Sequence, residues 1–570
     1  MFIPATPEEV AALGWKGLDV ILVTGDSYID SPHIGVAVIG RVLMEAGYRV
    51  GIIPQPDMTD DRDISRLGEP ELFWGVTGGC MDSMIANYTA SRKHRRRDDL
   101  TAGGVNNRRP DRAVIAYANL IRRYFKQTKP IVLGGIEASL RRISHYDFWS
   151  DTVRRSILFD ARADILAYGM AEETILEIAG HLKNKRPAVS DIAGICYIAP
   201  QPRPDYLLLP AHPVVAKDKG AFADMFARFS ENADPVRANG LCQQQDTRFL
   251  IQNPPRLPIS GPELDRIHEF GFHRDAHPIH QAQGQVRALD TLRFSIITHR
   301  GCFGDCAFCA IAVHEGRIIT DRSEASILRE AAALATHADF KGIIQNVGGP
   351  TANMYGMGCR RPESSGPCKN KRCLGPSPCR HLDVRHDRQM DLLRRLRRLA
   401  DVRKVFIGSG IRHDLVLHDA RFGREYLEEI IRYHVSGQLK IAPEHCEDHI
   451  LTLMGKPDAA TTEKFVDLFQ RTCKSEGVQS FLTCYLMAAF PGCTLADMRR
   501  LKQFTRRVFR FTPEQVQIFT PGPATRGALM YHTEKGPDGK AVFVEKNTKN
   551  KEIQKQELVE KPPKKRPGSR

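Results

Sequence analysis

Nowhere in the 570 residues does an apolar run reach the roughly 18 positions that a membrane-spanning helix requires, so no membrane partner is expected. The opening stretch, MFIPATPEEVAALGW, lacks the basic segment and apolar run of a secretory signal, which predicts a cytoplasmic protein. Cysteine is too scarce for a disulfide scaffold. There are 14 in the chain, and seven of them fall between residues 302 and 379, a clustering that points to metal. Hydrophobic residues at 42% and charged residues at 26% exclude a wholly disordered chain, and the length suits several domains.

The formal net charge of +15 is compatible with an anionic partner such as nucleic acid. Its distribution weakens that reading. Residues 535–570 hold eleven Lys/Arg against five Asp/Glu, and this polar stretch reads as a solvated, disordered tail. Residues 91–112 carry eight Lys/Arg and three Asp, either a phosphate grip or a solvated loop.

Hydrophobic periodicity predicts strands at 19–24 (DVILVT), 48–53, 130–133 and 164–168, with helices at 34–46 and 113–125. That alternation is an open parallel α/β sheet, whose strand C-ends, here followed by Gly134, Gly135 and Gly169, are where such sheets bind ligands. Residues 201–287, with many Pro, Gln and His and no clear period, read as a linker. From about 290 the pattern becomes six strand–helix units. The strands fall at 292–298, 342–347, 405–408, 439–442, 481–487 and 516–520, and helices near 323–336, 389–400, 424–434, 461–476 and 495–508 separate them. Six such units predict a partial TIM-type barrel with its polar working residues at the strand C-termini. The expected division is an α/β domain over 1–200, a linker over 201–287, the barrel over 288–535 and a basic tail over 536–570.

Directly after the first barrel strand comes THRGCFGDCAFCAI, with Cys302, Cys306 and Cys309 in a C-x3-C-x2-C spacing. Three thiolates on one short loop can hold three irons of a 4Fe-4S cubane and leave the fourth without a protein ligand, whereas an electron-transfer cluster takes four cysteines. An open iron is a reaction site. Gly301 and Gly304 let the loop wrap closely, and Phe308 adds a flat apolar surface. The alternative is zinc, with His299 or His314 as fourth ligand.

An aromatic residue before the last cysteine of C-x3-C-x2-C, on the loop after a first barrel strand, resembles the radical S-adenosylmethionine (radical SAM) superfamily. The segments DVILVTGDSYIDSPHIG, LGGIEASLRRISHYDFWSD, QNVGGPTANMY, IGSGIRHD, KIAPEHC and YLMAAFPGCT resemble more narrowly its YgiQ-like proteins, over most of residues 15–530. The resemblance implies a 4Fe-4S cluster whose open iron chelates S-adenosylmethionine. It also implies a reductant such as flavodoxin or ferredoxin, and a 5′-deoxyadenosyl radical acting on an unknown substrate. It places Gly348, Gly349 and Pro350 at the methionine amino group, and Ser409 and Arg412 at the carboxylate or ribose, with Lys440 and Glu444 flanking the fourth strand. Two rivals stand beside it: the same chemistry directed at RNA or another nucleic acid, and a non-enzymatic zinc protein that binds nucleic acid.

A second group, Cys359, Cys368, Cys373 and Cys379, lies in a loop rich in Gly, Pro and charge that cannot order itself by burial. Four thiolates on one metal would order it, as a second iron–sulfur cluster or a structural zinc, with His381 as a spare ligand. The N-terminal sheet resembles the cobalamin-binding domains of several radical SAM families, through GGIEAS at 134–139 and YGMAEE at 168–173. Those families carry D-x-H-x-x-G. Here Asp30, His33 and Gly35 depart from that spacing, so the likeness carries the architecture and leaves cobalamin in doubt.

Overall fold

The computed structural model describes residues 1–185, 189–369, 371–375, 377–511, 513 and 516–559. Its first half is built on a nine-stranded sheet. Val20–Thr24, an unbroken apolar run buried on both faces, pairs in parallel with Val50–Pro54 on one side and Phe73–Thr77 on the other. Ile131–Gly134 and Ile165–Ala167 continue the parallel order. Phe73–Thr77 was missed in the sequence because Gly75 and a short span blur its period.

Residues 201–287 are not the expected linker. Leu241–Gln245 and Arg248–Gln252 form a hairpin that pairs antiparallel with Ile195–Ala199, and Leu207–Leu209 closes that edge of the sheet. Their polar face of glutamines hides the apolar alternation. Gln243 and Gln245 are buried, and Gln252 meets Arg142.

The second half is the predicted partial barrel. Ser295–Ile297 pairs in parallel with Asn346–Gly348, and Ile343–Ile344 with Lys404–Val405. Ile411 bridges to Ile441, Gln438–Glu444 pairs with Phe481–Ala488, and Met487–Ala488 with Gln517–Ile518. Six strands in sequence order, each parallel to the next, are separated by helices at Glu324–Ala335, Asp387–Arg397, Gly423–Tyr433, Ala459–Glu476 and Leu495–Phe504. Local signals set the helix ends. Ser323, Asp458 and Thr494 cap N-termini by accepting backbone N–H groups, and Gly477 ends its helix at φ 64°.

The stretch expected to be a solvated tail includes a helix, Thr548–Leu558, that packs on the barrel. Gln554 accepts from the Ala489 N–H at 2.9 Å and donates to the Cys493 carbonyl at 3.2 Å. Lys551 is buried with Nζ 2.8 Å from the Tyr531 hydroxyl, and burial pushes its pKa down to about 8. Its polar sequence concealed it, because burial here serves hydrogen bonds as much as apolar area. The basic residues from 561 onward lie outside the described residues.

Candidate active site

The loop after Ser295–Ile297 carries the three cysteines to the carboxyl end of the barrel. Its turn depends on Gly301, at φ 83°, where a β-carbon would lie 2.0 Å from the Ile318 carbonyl oxygen. A β-carbon on Gly304 would stand 3.2 Å from the Cys302 sulfur and 3.5 Å from that of Cys306, so this glycine lets the backbone run between two thiols. The Gly304 N–H donates to Cys302 at 3.3 Å, and the Cys309 N–H closes the loop on the Cys306 carbonyl at 3.0 Å. Burial raises the Cys302 thiol and pushes Cys309 up to about 12. Thiols held protonated in this way bind metal by releasing protons.

Each histidine weighed as a zinc ligand spends one ring nitrogen elsewhere. His299 directs Nδ1 to Thr298 at 2.9 Å, and His314 directs Nδ1 to Ser139 of the N-terminal domain at 3.1 Å. The loop itself supplies three sulfurs, the number that leaves one corner of an iron–sulfur cubane open.

The expected SAM-side residues gather around the same loop. Gly348 and Gly349 end the second barrel strand. A β-carbon on Gly349 would come within 2.5 Å of His299 Nε2, so only a bare backbone fits between the ring and the strand end. Pro350 leads to Thr351, whose hydroxyl lies 3.5 Å from the Cys302 sulfur. Ser409 is spoken for, since its N–H and Oγ both donate to Asn346 Oδ1 at 3.0 and 3.1 Å. Lys440 likewise donates to the Gly408 carbonyl at 2.9 Å.

Arg412 differs from its expected role most. Its Nε and Nη2 are committed to Asp414 at 2.8 and 2.6 Å, and Nη1 donates to the Cys306 sulfur at 3.7 Å. The pair is buried. Against burial, which would raise it, the guanidinium holds Asp414 down to about 2. Glu444, in a left-handed conformation at φ 67°, is buried with its carboxylate 3.6 Å from Lys456 Nζ. Burial raises its pKa. Lys456 Nζ also sits 5.6 Å from the Phe308 ring, which meets Phe490 edge-on at 6.3 Å. Thr351, Asp414 and Lys456 were not singled out from the sequence. The first two stand beside motif residues, whereas Lys456 arrives from a distant turn that no spacing reveals.

The N-terminal sheet meets the cluster loop at its carboxyl edge. Ser139 holds His314 and also accepts from the Gly169 N–H at 3.1 Å, and Glu172 pairs with Arg300. Between the two halves a cavity of about 160 Å³ is lined by Gly169, Met170, Arg142, Cys306, Cys309 and Arg526, among others. Of the basic residues at 91–112, Arg92, Arg95, Arg109 and Arg112 bond within the fold, while Lys93, Arg96, Arg97 and Arg108 are exposed. Arg109 pairs with Asp26 and Asp98 while almost fully buried, Arg112 pairs with Asp147, and Arg92 donates to the Phe148 carbonyl.

In the second group, the Cys379 N–H donates to the Cys373 carbonyl at 2.8 Å, and Cys359 pairs across a short antiparallel bridge with Leu382. His381 lies beside Arg380, 3.4 Å from its Nε.

Comparison with known proteins identifies two matching family models, radical SAM N-terminal over residues 2–295 and the radical SAM superfamily over residues 296–505. A UPF0313 protein of Fusobacterium nucleatum is 50% identical over 98% of this chain and 99% of its own length. A second, of Methanocella arvoryzae, is 46% identical over 98% of this chain and 93% of its own. Among solved structures, the radical SAM methyltransferase TsrM of Kitasatospora setae, with cobalamin and a 4Fe-4S cluster bound, superposes with a TM-score of 0.51. It does so at 14% identity, over 92% of this chain and 87% of that one, which shows a shared fold. No helix among the described residues is long and apolar enough to cross a membrane.

Proposed function

The chain belongs to the UPF0313 family of radical SAM proteins, and from that premise we propose that Cys302, Cys306 and Cys309 ligate its 4Fe-4S cluster. It is an enzyme, and its chemistry requires S-adenosylmethionine, a reductant and a substrate. A cluster held by these three cysteines would supply the one-electron chemistry for reductive cleavage of S-adenosylmethionine. The observation that carries the assignment is the convergence of Gly304, Thr351 and Arg412 on the sulfurs of Cys302 and Cys306.

The chain's own residues position and shield. The Gly304 N–H and Arg412 Nη1 direct positive charge at the thiolates, which stabilises them against the low dielectric of their surroundings. The bare backbone of Gly348 and Gly349, packed against Ala352 and His299, would meet the methionine moiety through its own polar groups, and the Phe308 ring adds an apolar face. Lys456 and Glu444 form a buried pair close to the Phe308 ring, a fixed dipole for the adenosyl side of the cofactor. The hydrogen donor is assigned to the cavity between the sheet edge and Cys306 and Cys309.

The sheet's carboxyl edge carries buried ion pairs, Asp26 with Arg109 and Asp82 with Arg141, and Glu137 accepts there from the Ser83 and Val114 N–H groups. His33, the nearest counterpart of a cobalt ligand, points Nδ1 at Ser31 at 3.3 Å. No step is derived through cobalamin.

The test is anaerobic reconstitution with iron and sulfide, followed by dithionite and S-adenosylmethionine, with 5′-deoxyadenosine quantified. Cleavage that disappears in Cys306→Ala supports the reading. Cleavage at an unchanged rate in that variant overturns the ligand assignment.

A further inference from the structure

The loop of Cys359, Cys368, Cys373 and Cys379 is not used by the chemistry above, yet it lies against the cluster loop. Phe303, the neighbour of Cys302, is buried in a small apolar core with Met354, Met357, Leu374 and Leu382, and Cys302, Cys373 and Cys379 all pack on it. Arg317 ties the two loops. Its Nε faces Asp305 of the cluster loop at 3.9 Å, while its Nη1 and Nη2 donate to the Cys368 and Lys371 carbonyls at 3.2 and 2.8 Å.

Two guanidinium groups address sulfur in this second group. Arg361 Nη1 donates to Cys368 at 2.7 Å, and Arg317 Nη2 to Cys373 at 3.8 Å. Both guanidinium groups thus stand in direct contact with sulfurs of the proposed ligand set. The backbone adds its own convergence. The Cys379 N–H on the Cys373 carbonyl closes one turn, the Leu382 N–H donates to the Cys379 carbonyl at 2.8 Å, and Leu382 faces Cys359 across the bridge.

Position separates the metals. Cys302, Cys373 and Cys379 pack on one apolar core, so a group held by the second set lies against the first loop, where a redox-active cluster has a use that a redox-inert zinc does not.

We propose that Cys359, Cys368, Cys373 and Cys379 ligate a second 4Fe-4S cluster, whose four protein ligands leave no open iron and make it an electron carrier. One electron enters it from an external one-electron donor protein and leaves to the first cluster, so the site begins and ends each transfer in the same state. Cys359 is exposed and Cys373 is half-buried toward the first cluster, which gives the carrier an outer and an inner end. The inference rests on the reading of Cys302, Cys306 and Cys309 as the first cluster's ligands.

The experiment reconstitutes the full chain, the triple variant Cys302→Ala/Cys306→Ala/Cys309→Ala and the double variant Cys359→Ser/Cys373→Ser, and measures iron, sulfide and zinc with electron paramagnetic resonance of the reduced proteins. The expected result is about eight irons in the unmodified chain and about four in the triple variant, with a signal in the latter that S-adenosylmethionine leaves unchanged. The double variant is expected to keep about four irons and a signal that S-adenosylmethionine shifts. A triple variant with no iron, or with zinc and no sulfide, overturns the second cluster. So does a triple-variant signal that S-adenosylmethionine shifts. Failure of the first reading looks different: the triple variant would keep every iron of the unmodified chain.

Discussion

Arg412 places one guanidinium nitrogen 3.7 Å from the Cys306 sulfur, and Asp414 locks the other two polar positions of the same fork. The carboxylate thereby fixes the direction in which the positive charge points. Asp414→Asn removes the partner of a buried cation and is expected to cost about 3 kcal/mol of stability. It is also expected to lower the rate of S-adenosylmethionine cleavage about tenfold, equivalent to roughly 1.4 kcal/mol in the barrier. Urea unfolding and 5′-deoxyadenosine formation measure the two effects, and an unchanged rate would show that Arg412 keeps its aim without Asp414.

Gly301 holds a left-handed turn with no space for a β-carbon. Gly301→Ala adds about 1 to 2 kcal/mol of backbone strain and a clash with the Ile318 carbonyl, which together displace Cys302. Iron retained after reconstitution and desalting should fall below half of that in the unmodified chain. Full retention would mean that the loop can turn another way.

Gln554 joins the C-terminal helix to Ala489 and Cys493 at the end of the fifth barrel strand. Gln554→Ala leaves a buried N–H and a buried carbonyl unpaired, at a cost of about 1 to 3 kcal/mol. Deletion of residues 545–570 should lower the melting midpoint further than this single change does. A midpoint unmoved by the deletion would show that the helix contributes nothing to the barrel.

Burial holds His299, His145 and His413 near pKa 4 and His445 near 3, against an ordinary value of 6.5. The unfolded chain therefore binds more protons than the folded one below about pH 6.5. The stability these residues contribute is complete above that pH and is lost as pH falls toward 4. Asp414 acts lower, its contribution lost between about pH 4 and 2. The melting midpoint should drop between about pH 7 and pH 5, before most carboxylates titrate. A flat profile over that interval would contradict the burial of these imidazoles.

The barrel was legible in the sequence because its signals are local. Strand and helix periods, the caps Ser323, Asp458 and Thr494, and the C-x3-C-x2-C loop each depend on residues close together in the chain. The same locality places Gly348 and Gly349 at the end of the second strand. Composition misled where burial is polar. Gln243, Gln245 and Gln554 sit in the core with their amides satisfied, so the hairpin at 241–252 and the helix Thr548–Leu558 carry no apolar period to read.

By itself, the sequence determined the spacing of three thiols on one short loop and the order of six strand–helix units, since both are properties of contiguous chain. Only the tertiary structure decided where charges point. Arg412 turns to Cys306 because Asp414 holds it, and Lys456 reaches Glu444 from a separate turn. His314 directs Nδ1 to Ser139 because the N-terminal sheet docks there. Direction in space is set by what packs around a side chain, and for Arg412 on Cys306 and His314 on Ser139 that neighbour lies more than 100 residues away in the chain.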